Sequence, residues 1–187
     1  MVEPRKRPGA RLSFLLPLIG FLVLLGISGA ALFATLSGTR DITQLPSVLI
    51  GKPPPQTQMA LLSDPSAFVD FTALSGEVVA VNFFASWCAP CRAEAPTLEE
   101  LSQDVPIIGI AYKDKPEDTT AFLQQYGNPF RQVGVDFDGR AGLAWGLYGV
   151  PETYLIDRQG RIILRHAGPL DKRVMEQLIL PAIATAE

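Results

Sequence analysis

Residues 85–96 read "ASWCAPCRAEAP", and Cys88 and Cys91 are the only cysteines in the 187-residue chain. Upstream, "EVVAVNFFA" (77–85) is a β-branched and aromatic run of the kind that forms a strand buried on both faces. Downstream, "CRAEAPTLEELSQD" (91–104) has helical composition, with Leu98 and Leu101 on one face. The pair therefore sits where a buried strand hands over to a helix. There, unpaired backbone N–H groups and the helix dipole stabilise a thiolate on Cys88, which is expected to be exposed and nucleophilic. Cys91, one turn further in, is expected to be shielded yet in reach of the first sulfur, as a resolving thiol must be. Trp87 and Pro90 shape the flanks, limiting approach and stiffening the turn.

Other uses of two cysteines have less behind them. A structural disulfide closing so short a loop gains little chain-entropy stabilisation. A structural zinc site needs four ligands, and the chain adds only His166 to its two thiols. A copper chaperone, which could work with two thiolates, is the remaining metal reading. Position as well as spacing favours a redox couple, with no metal and no cofactor beyond the dithiol.

Strand and helix patterns alternate around this unit. "SDPSAFVDF" (63–71) reads as a short helix capped by Ser63 or Asp64, with Pro65 in its first turn. "VPIIGIAY" (105–112) is a second buried strand, and "PEDTTAFLQQYG" (116–127) a helix with an acidic start and Gly127 past its end. "RQVGVDF" (131–137) follows as a strand and "RAGLAWGLYG" (140–149) as a helix. "ETYLIDRQGRIILRHAG" (152–168) is a hairpin turning at Gln159 and Gly160, and "DKRVMEQLILPAI" (171–183) a closing helix capped by Asp171. The expected fold is α/β: a central sheet flanked by helices, parallel at first and mixed toward the end.

Residues 12–38 carry no charged side chain over 27 positions, more than the roughly 20 that a helix needs to cross a bilayer. Arg5, Lys6, Arg7 and Arg11 stand before it against a single Glu3, a flank that stays cytoplasmic and sends the rest of the chain across. An uncleaved anchor is expected, because the run far exceeds the apolar core of a signal peptide; small residues in "SGA" and "LFA" keep the cleaved reading open. Residues 39–60, with Pro46, Pro53, Pro54 and Pro55, form a spacer or edge segment rather than a helix. Beyond residue 11 the chain holds 12 basic and 18 acidic groups, which argues against nucleic acid and fits a basic or neutral polypeptide client.

"WCAPC" with Pro96 behind it resembles the thioredoxin active site, and "GVPETYLID" (149–157) resembles the loop that carries the cis proline in such proteins. By that likeness Pro151 is cis, and Val150 offers backbone groups to an extended client strand. The anchor, "LIGKPPP", "CRAEAPTLEEL", "AYKD" and "GVPETYLIDRQGRI" together resemble the membrane-tethered thioredoxin-like reductases of bacterial cytochrome c maturation, the CcmG/DsbE type. The likeness covers about residues 46–180. The 59 residues between Cys91 and Pro151 match the helix and strand, near 116–135, that this group inserts. "PQTQMALL" (55–62) departs from the family, which more often has an acidic residue and a phenylalanine there.

The resemblance implies a thioredoxin-like domain over 46–187, a cytoplasmic N-terminus over 1–11, and a single pass of the bacterial inner membrane over 12–38, with the domain in the periplasm. It implies a disulfide reductase that keeps apocytochrome c, or an intermediary thiol protein, reduced and draws electrons from a membrane thiol transporter. A related tethered reductase serving a copper centre or another envelope dithiol shares this chemistry, and a binding module that presents an apoprotein without turnover is the non-enzymatic alternative. The matching family position makes Glu94 a carboxylate near the dithiol, able to raise thiol pKa values and to take a proton from Cys91. Glu152, after the proline, is expected on the same surface. Trp145 is expected in the core or on the groove's rim with Tyr148, His166 at the surface or an edge, Asp136 and Asp138 in a turn, and Lys113 has no assigned mechanism.

Overall fold

The computed structural model describes residues 15–36, 47–72 and 76–186. The expectations for residues 1–11 and for the first part of the 39–60 spacer lie outside them. The chain divides into two units, Met1–Ile42 and Thr43–Glu187. In the first, α1 (Leu15–Leu36) contains a stretch, Leu16–Ala34, of mean hydropathy 2.3, long and apolar enough to cross a membrane. Its 22 residues rise about 33 Å, against a hydrocarbon core of about 30 Å.

The second unit is built on a six-stranded sheet of order β1-β4-β3-β2-β5-β6. The strands are β1 (Ala60–Leu61), β2 (Val79–Phe84), β3 (Ile107–Tyr112), β4 (Gln132–Asp136), β5 (Glu152–Ile156) and β6 (Ile162–Ala167). The crossovers through α2 (Ala89–Leu101) and α3 (Pro116–Tyr126) make β2, β3 and β4 parallel. β5 and β6 run antiparallel to their neighbours, as the mixed pattern toward the end predicts, and so does β1, a short strand the sequence did not announce. All six residues of β2 are buried. Val79, Val81 and Phe83 join Ile108, Ile110 and Trp145 in one apolar cluster, while Ala80 packs with Leu98, Leu101 and Ile107 in another. A strand covered on both faces needs the unbroken apolar run read above.

Three elements differ from expectation. Residues 63–71 are not helical. Asp64 Oδ1 accepts from both the Ser66 amide and its hydroxyl, which closes a local turn. The backbone then returns along β1, with Leu61 N–H donating to Ala67 O and Val69 N–H to Met59 O. Local side-chain bonds and a sheet partner compete better here than one more short helix. Next, α4 spans only Arg140–Trp145, because Gly146 takes the left-handed conformation at φ 66° and the Leu147 N–H turns back to Gly142 O. That early stop frees residues 146–150 to form a loop. Finally, the closing helix, capped by Asp171 as expected, is α5 (Lys172–Val174), a π-helical stretch (Met175–Ile179) and α6 (Leu180–Ala186).

The described part of the spacer is an edge segment. Gly51 N–H donates to Ile162 O and Ile162 N–H to Lys52 O, so this segment pairs with the start of edge strand β6. Met59, within the "PQTQMALL" stretch, is 1% exposed and belongs to the Trp145 cluster. The inserted α3 and β4 stand where the resemblance placed them.

Candidate active site

β2 delivers the chain to Ala85, and Cys88 caps α2 in an extended conformation with Pro90 in the first turn. Its Sγ accepts the Cys91 N–H at 3.1 Å, so the sulfur sits on the amide cluster of the helix N-terminus. Cys88 and Cys91 are joined as a disulfide with Cα atoms 5.3 Å apart. Cys91 is shielded as expected, but Cys88 is not the exposed residue the sequence suggested: it is 3% accessible, packed with Phe84, Ala85 and Val150. What faces solvent is Trp87, 57% exposed, and Pro90. The Val150–Pro151 peptide is cis, and Val150 lies against the cluster that holds the disulfide.

Glu94 is no solvated helical residue. It is 1% exposed, accepting from Asn82 Nδ2 at 3.1 Å and from the Leu170 N–H at 2.8 Å. Burial pushes its carboxyl up to about 7, against the pull of those two hydrogen bonds. Glu94 and Cys91 line the same small apolar cavity with Phe84, Leu98 and Phe122.

The raised value makes a stability prediction. In the oxidised protein, whose cysteines do not titrate, Glu94 ionises near 4.5 when unfolded and near 7 when folded. Between those values the folded state keeps a proton that the unfolded state has released, so this residue's contribution is fully present below 4.5 and is lost as pH rises to 7. The loss is on the order of 3 kcal/mol. Urea denaturation of wild type and Glu94→Gln at several pH values should show the two curves diverging across that window. Parallel curves would mean Glu94 ionises as an ordinary carboxylate.

Glu152 also departs from expectation. It is not on the client-facing surface but 1% exposed beneath the loop. Its Oε1 accepts from the Tyr148 N–H at 2.7 Å and the Gly149 N–H at 3.3 Å, holding the loop just ahead of the cis proline. Arg165 donates Nε to Oε2 at 2.8 Å and Nη2 to Oε1 at 3.0 Å, a bidentate pair buried on both sides. The same guanidinium lies 4.1 Å from the Tyr148 ring centre, whose residue is 68% exposed on the rim. The Tyr154 hydroxyl donates to Glu152 Oε2, and burial together with that carboxylate pushes its ionisation upward.

A Redoxin family pattern matches residues 49–179. HelX, a thiol:disulfide interchange protein of Rhodobacter capsulatus, is 41% identical over 164 residues, covering 87% of this chain and 92% of the relative. The thiol:disulfide interchange protein DsbE of Escherichia coli K12 is 41% identical over 168 residues, covering 88% and 91%. The chain belongs to the DsbE family of thiol:disulfide interchange proteins. Among solved structures, a Chlorobium tepidum protein assigned as DsbE superposes with a TM-score of 0.62 at 29% identity, covering 70% of this chain and 95% of its own.

As a DsbE-family protein with a Cys88–Cys91 disulfide in a thioredoxin-like domain, the chain is a thiol:disulfide oxidoreductase. Trp145 is a core residue, ringed by Phe71, Phe83 and Tyr154. Asp136 does not simply sit in a turn: it ends β4, and its carboxylate accepts from the Ala141 and Gly142 N–H groups in the first turn of α4. His166 is on edge strand β6 but is 5% exposed, its Nε2 3.4 Å from Pro169 O. Sequence reasoning missed Arg165, Asn82 and Asp114. The first two left a signal, because a polar residue inside "RIILRHA" or "VAVNFF" must find a buried partner.

Proposed function

We propose that this DsbE-family protein is a membrane-anchored periplasmic reductase of disulfides in apocytochrome c, or in a thiol protein serving it, during cytochrome c maturation. In each cycle the Cys88 thiolate attacks a client disulfide, forming a mixed disulfide and releasing one client thiolate. Cys91 then gives its proton to the Glu94 carboxylate and attacks Cys88 Sγ, releasing the second client sulfur as a thiolate that takes up a proton from solvent. Two electrons pass to the client, and the Cys88–Cys91 disulfide is left for a membrane thiol transporter to reduce. The dithiol needs no other cofactor for this. Trp87, Pro90 and Val150 form the face that meets the client, Val150 offering its backbone to an extended strand while the cis Pro151 lies buried behind it. Glu152 acts from below by holding the loop.

The observation that carries this reading is the buried Glu94, which shares its cavity with Cys91 and has its carboxyl raised to about 7, suited to exchanging a proton with a thiol near neutral pH. The run of basic residues before α1 supports the orientation that leaves the domain outside the cytoplasm.

The equilibrium reduction potential of Cys88–Cys91, measured on the full-length protein in detergent, tests the direction. A value at or below about −200 mV, in the range of reducing thioredoxin relatives, is expected. A value near about −120 mV, that of a strong oxidant, would reverse the assignment. For the client, an oxidised peptide with a haem-attachment Cys-x-x-Cys-His motif should be reduced faster than an oxidised copper-site peptide. The opposite ranking would move the protein to the copper-centre class.

A further inference from the structure

The Lys113–Asp114 step at the end of β3 enters none of the chemistry above, yet it touches both residues leading into Cys88. Lys113 has a left-handed backbone at φ 47°, and it is the non-glycine residue among those described that does. Such a conformation is unfavourable for a side chain with a Cβ, and it persists where surrounding contacts hold it. Here its N–H donates to Asp136 O at 2.9 Å and its carbonyl accepts the Trp87 indole N–H at 3.2 Å. This turn places Asp114, 3% exposed, beneath the active-site loop.

Four donors converge on the Asp114 carboxylate. Oδ1 accepts the Ser86 hydroxyl at 2.7 Å and the Lys115 N–H at 3.1 Å. Oδ2 accepts the Ser86 N–H at 2.8 Å and the Thr119 hydroxyl at 2.9 Å. Each oxygen thus takes one backbone N–H and one hydroxyl. Hydroxyls can turn around and accept, but backbone N–H groups cannot. An asparagine in the same place would therefore leave either Ser86 or Lys115 without its acceptor, whichever way the amide is turned.

We propose that Asp114 is a positioning residue for the dithiol: its carboxylate ties Ser86 to the β3–α3 junction while the Lys113 carbonyl holds Trp87, and together they keep Cys88 Sγ on the N-terminal amides of α2. The carboxylate is held by four neutral donors and acts through the loop, without touching the reacting sulfurs. The proposal depends on thiol–disulfide exchange at Cys88 and not on which client is reduced.

The test uses full-length reduced protein in detergent. In a Cys91→Ala background, Asp114→Asn should raise the pH midpoint of Cys88 alkylation by iodoacetamide by about half a unit or more, because a displaced sulfur loses the helix-terminal stabilisation of its thiolate. With both cysteines present, the same substitution should slow reduction of oxidised glutathione by roughly 10- to 100-fold, the scale expected when a reacting group is misplaced by about 1 Å. Ser86→Ala, which keeps the backbone bond, should move both readouts the same way by less. A lowered melting temperature with an unchanged midpoint and unchanged rate would reduce Asp114 to a fold-stabilising residue and overturn the proposal. If Asp114→Asn does not fold, Ser86→Ala decides alone, and wild-type values in both readouts would likewise overturn it. Neither assay uses a cytochrome peptide, so an error in the client assignment leaves these outcomes untouched.

Discussion

Serine at position 88 is expected to abolish disulfide reduction completely, while serine at position 91 should leave a protein that starts the reaction and cannot finish it. The two differ because the sulfurs occupy different places. Cys88 caps α2, where helix-terminal amides stabilise its thiolate, whereas Cys91 lies within the first turn over the Glu94 cavity. Without the Cys91 thiol, the mixed disulfide between Cys88 and the client has no internal nucleophile to break it. Cys91→Ser incubated with an oxidised haem-motif peptide should therefore accumulate a covalent adduct on a non-reducing gel, removed by dithiothreitol. Cys88→Ser should form none. Adduct formation by Cys88→Ser and not by Cys91→Ser would reverse the order of attack. Retention of cytochrome assembly by both variants would mean a binding module.

The largest expected loss of stability comes from a residue away from the dithiol. Arg165→Ala removes the bidentate partner of Glu152 and leaves a carboxylate buried with only the Tyr154 hydroxyl and two backbone N–H groups. Breaking a buried pair by deleting one member costs about 3–5 kcal/mol. That is a large part of the ~5–15 kcal/mol available to a domain of this kind. Arg165→Lys should recover only part of it, because an ammonium cannot reproduce the two-pronged contact or the stacking on Tyr148. Urea denaturation of the oxidised protein measures both. A cost below about 1 kcal/mol for Arg165→Ala would place the pair with exposed salt bridges, whose contribution is small. The same substitution should weaken client binding, since Glu152 holds the Tyr148 and Gly149 amides ahead of Pro151.

Asp114, Arg165 and Glu94 share a property that made them hard to read in advance. Each is a charged residue whose partners come from distant parts of the chain. Asp114 reaches back to Ser86, Glu94 back to Asn82 and forward to Leu170, and Arg165 back to Glu152 and Tyr148. The family resemblance pointed to Glu94; Glu152 was expected on the dithiol surface because it follows the cis proline, but it opens β5, all five residues of which are buried. The burial of Cys88 has a similar cause: a position at a helix start says nothing about Val150, from a loop 62 residues further on, packing against the cluster that holds it.

Local chemistry was legible from the residues alone. The unbroken apolar run of β2, the helical pattern after Cys91, the acidic first turn of α3, the Asp171 cap and the charge-free stretch before residue 38 depend on neighbours within a few positions, and all five led to the right element. Where a segment could choose between a local and a distant partner, sequence reading failed. Residues 63–71 carry a helix-start signal, but their backbone groups found β1 instead. The CxxC spacing and the apolar periods thus announce the redox couple and the layered α/β sheet, since both follow from short-range geometry. The burial of Glu94, the Glu152–Arg165 support under the cis proline and the Asp114 tie to Ser86 follow from how strands β2, β3, β5 and β6 are ordered side by side. Long-range pairing sets that order, and it is what brings Glu94 to the Leu170 amide and Asp114 to Ser86, dozens of residues apart, within hydrogen-bonding distance.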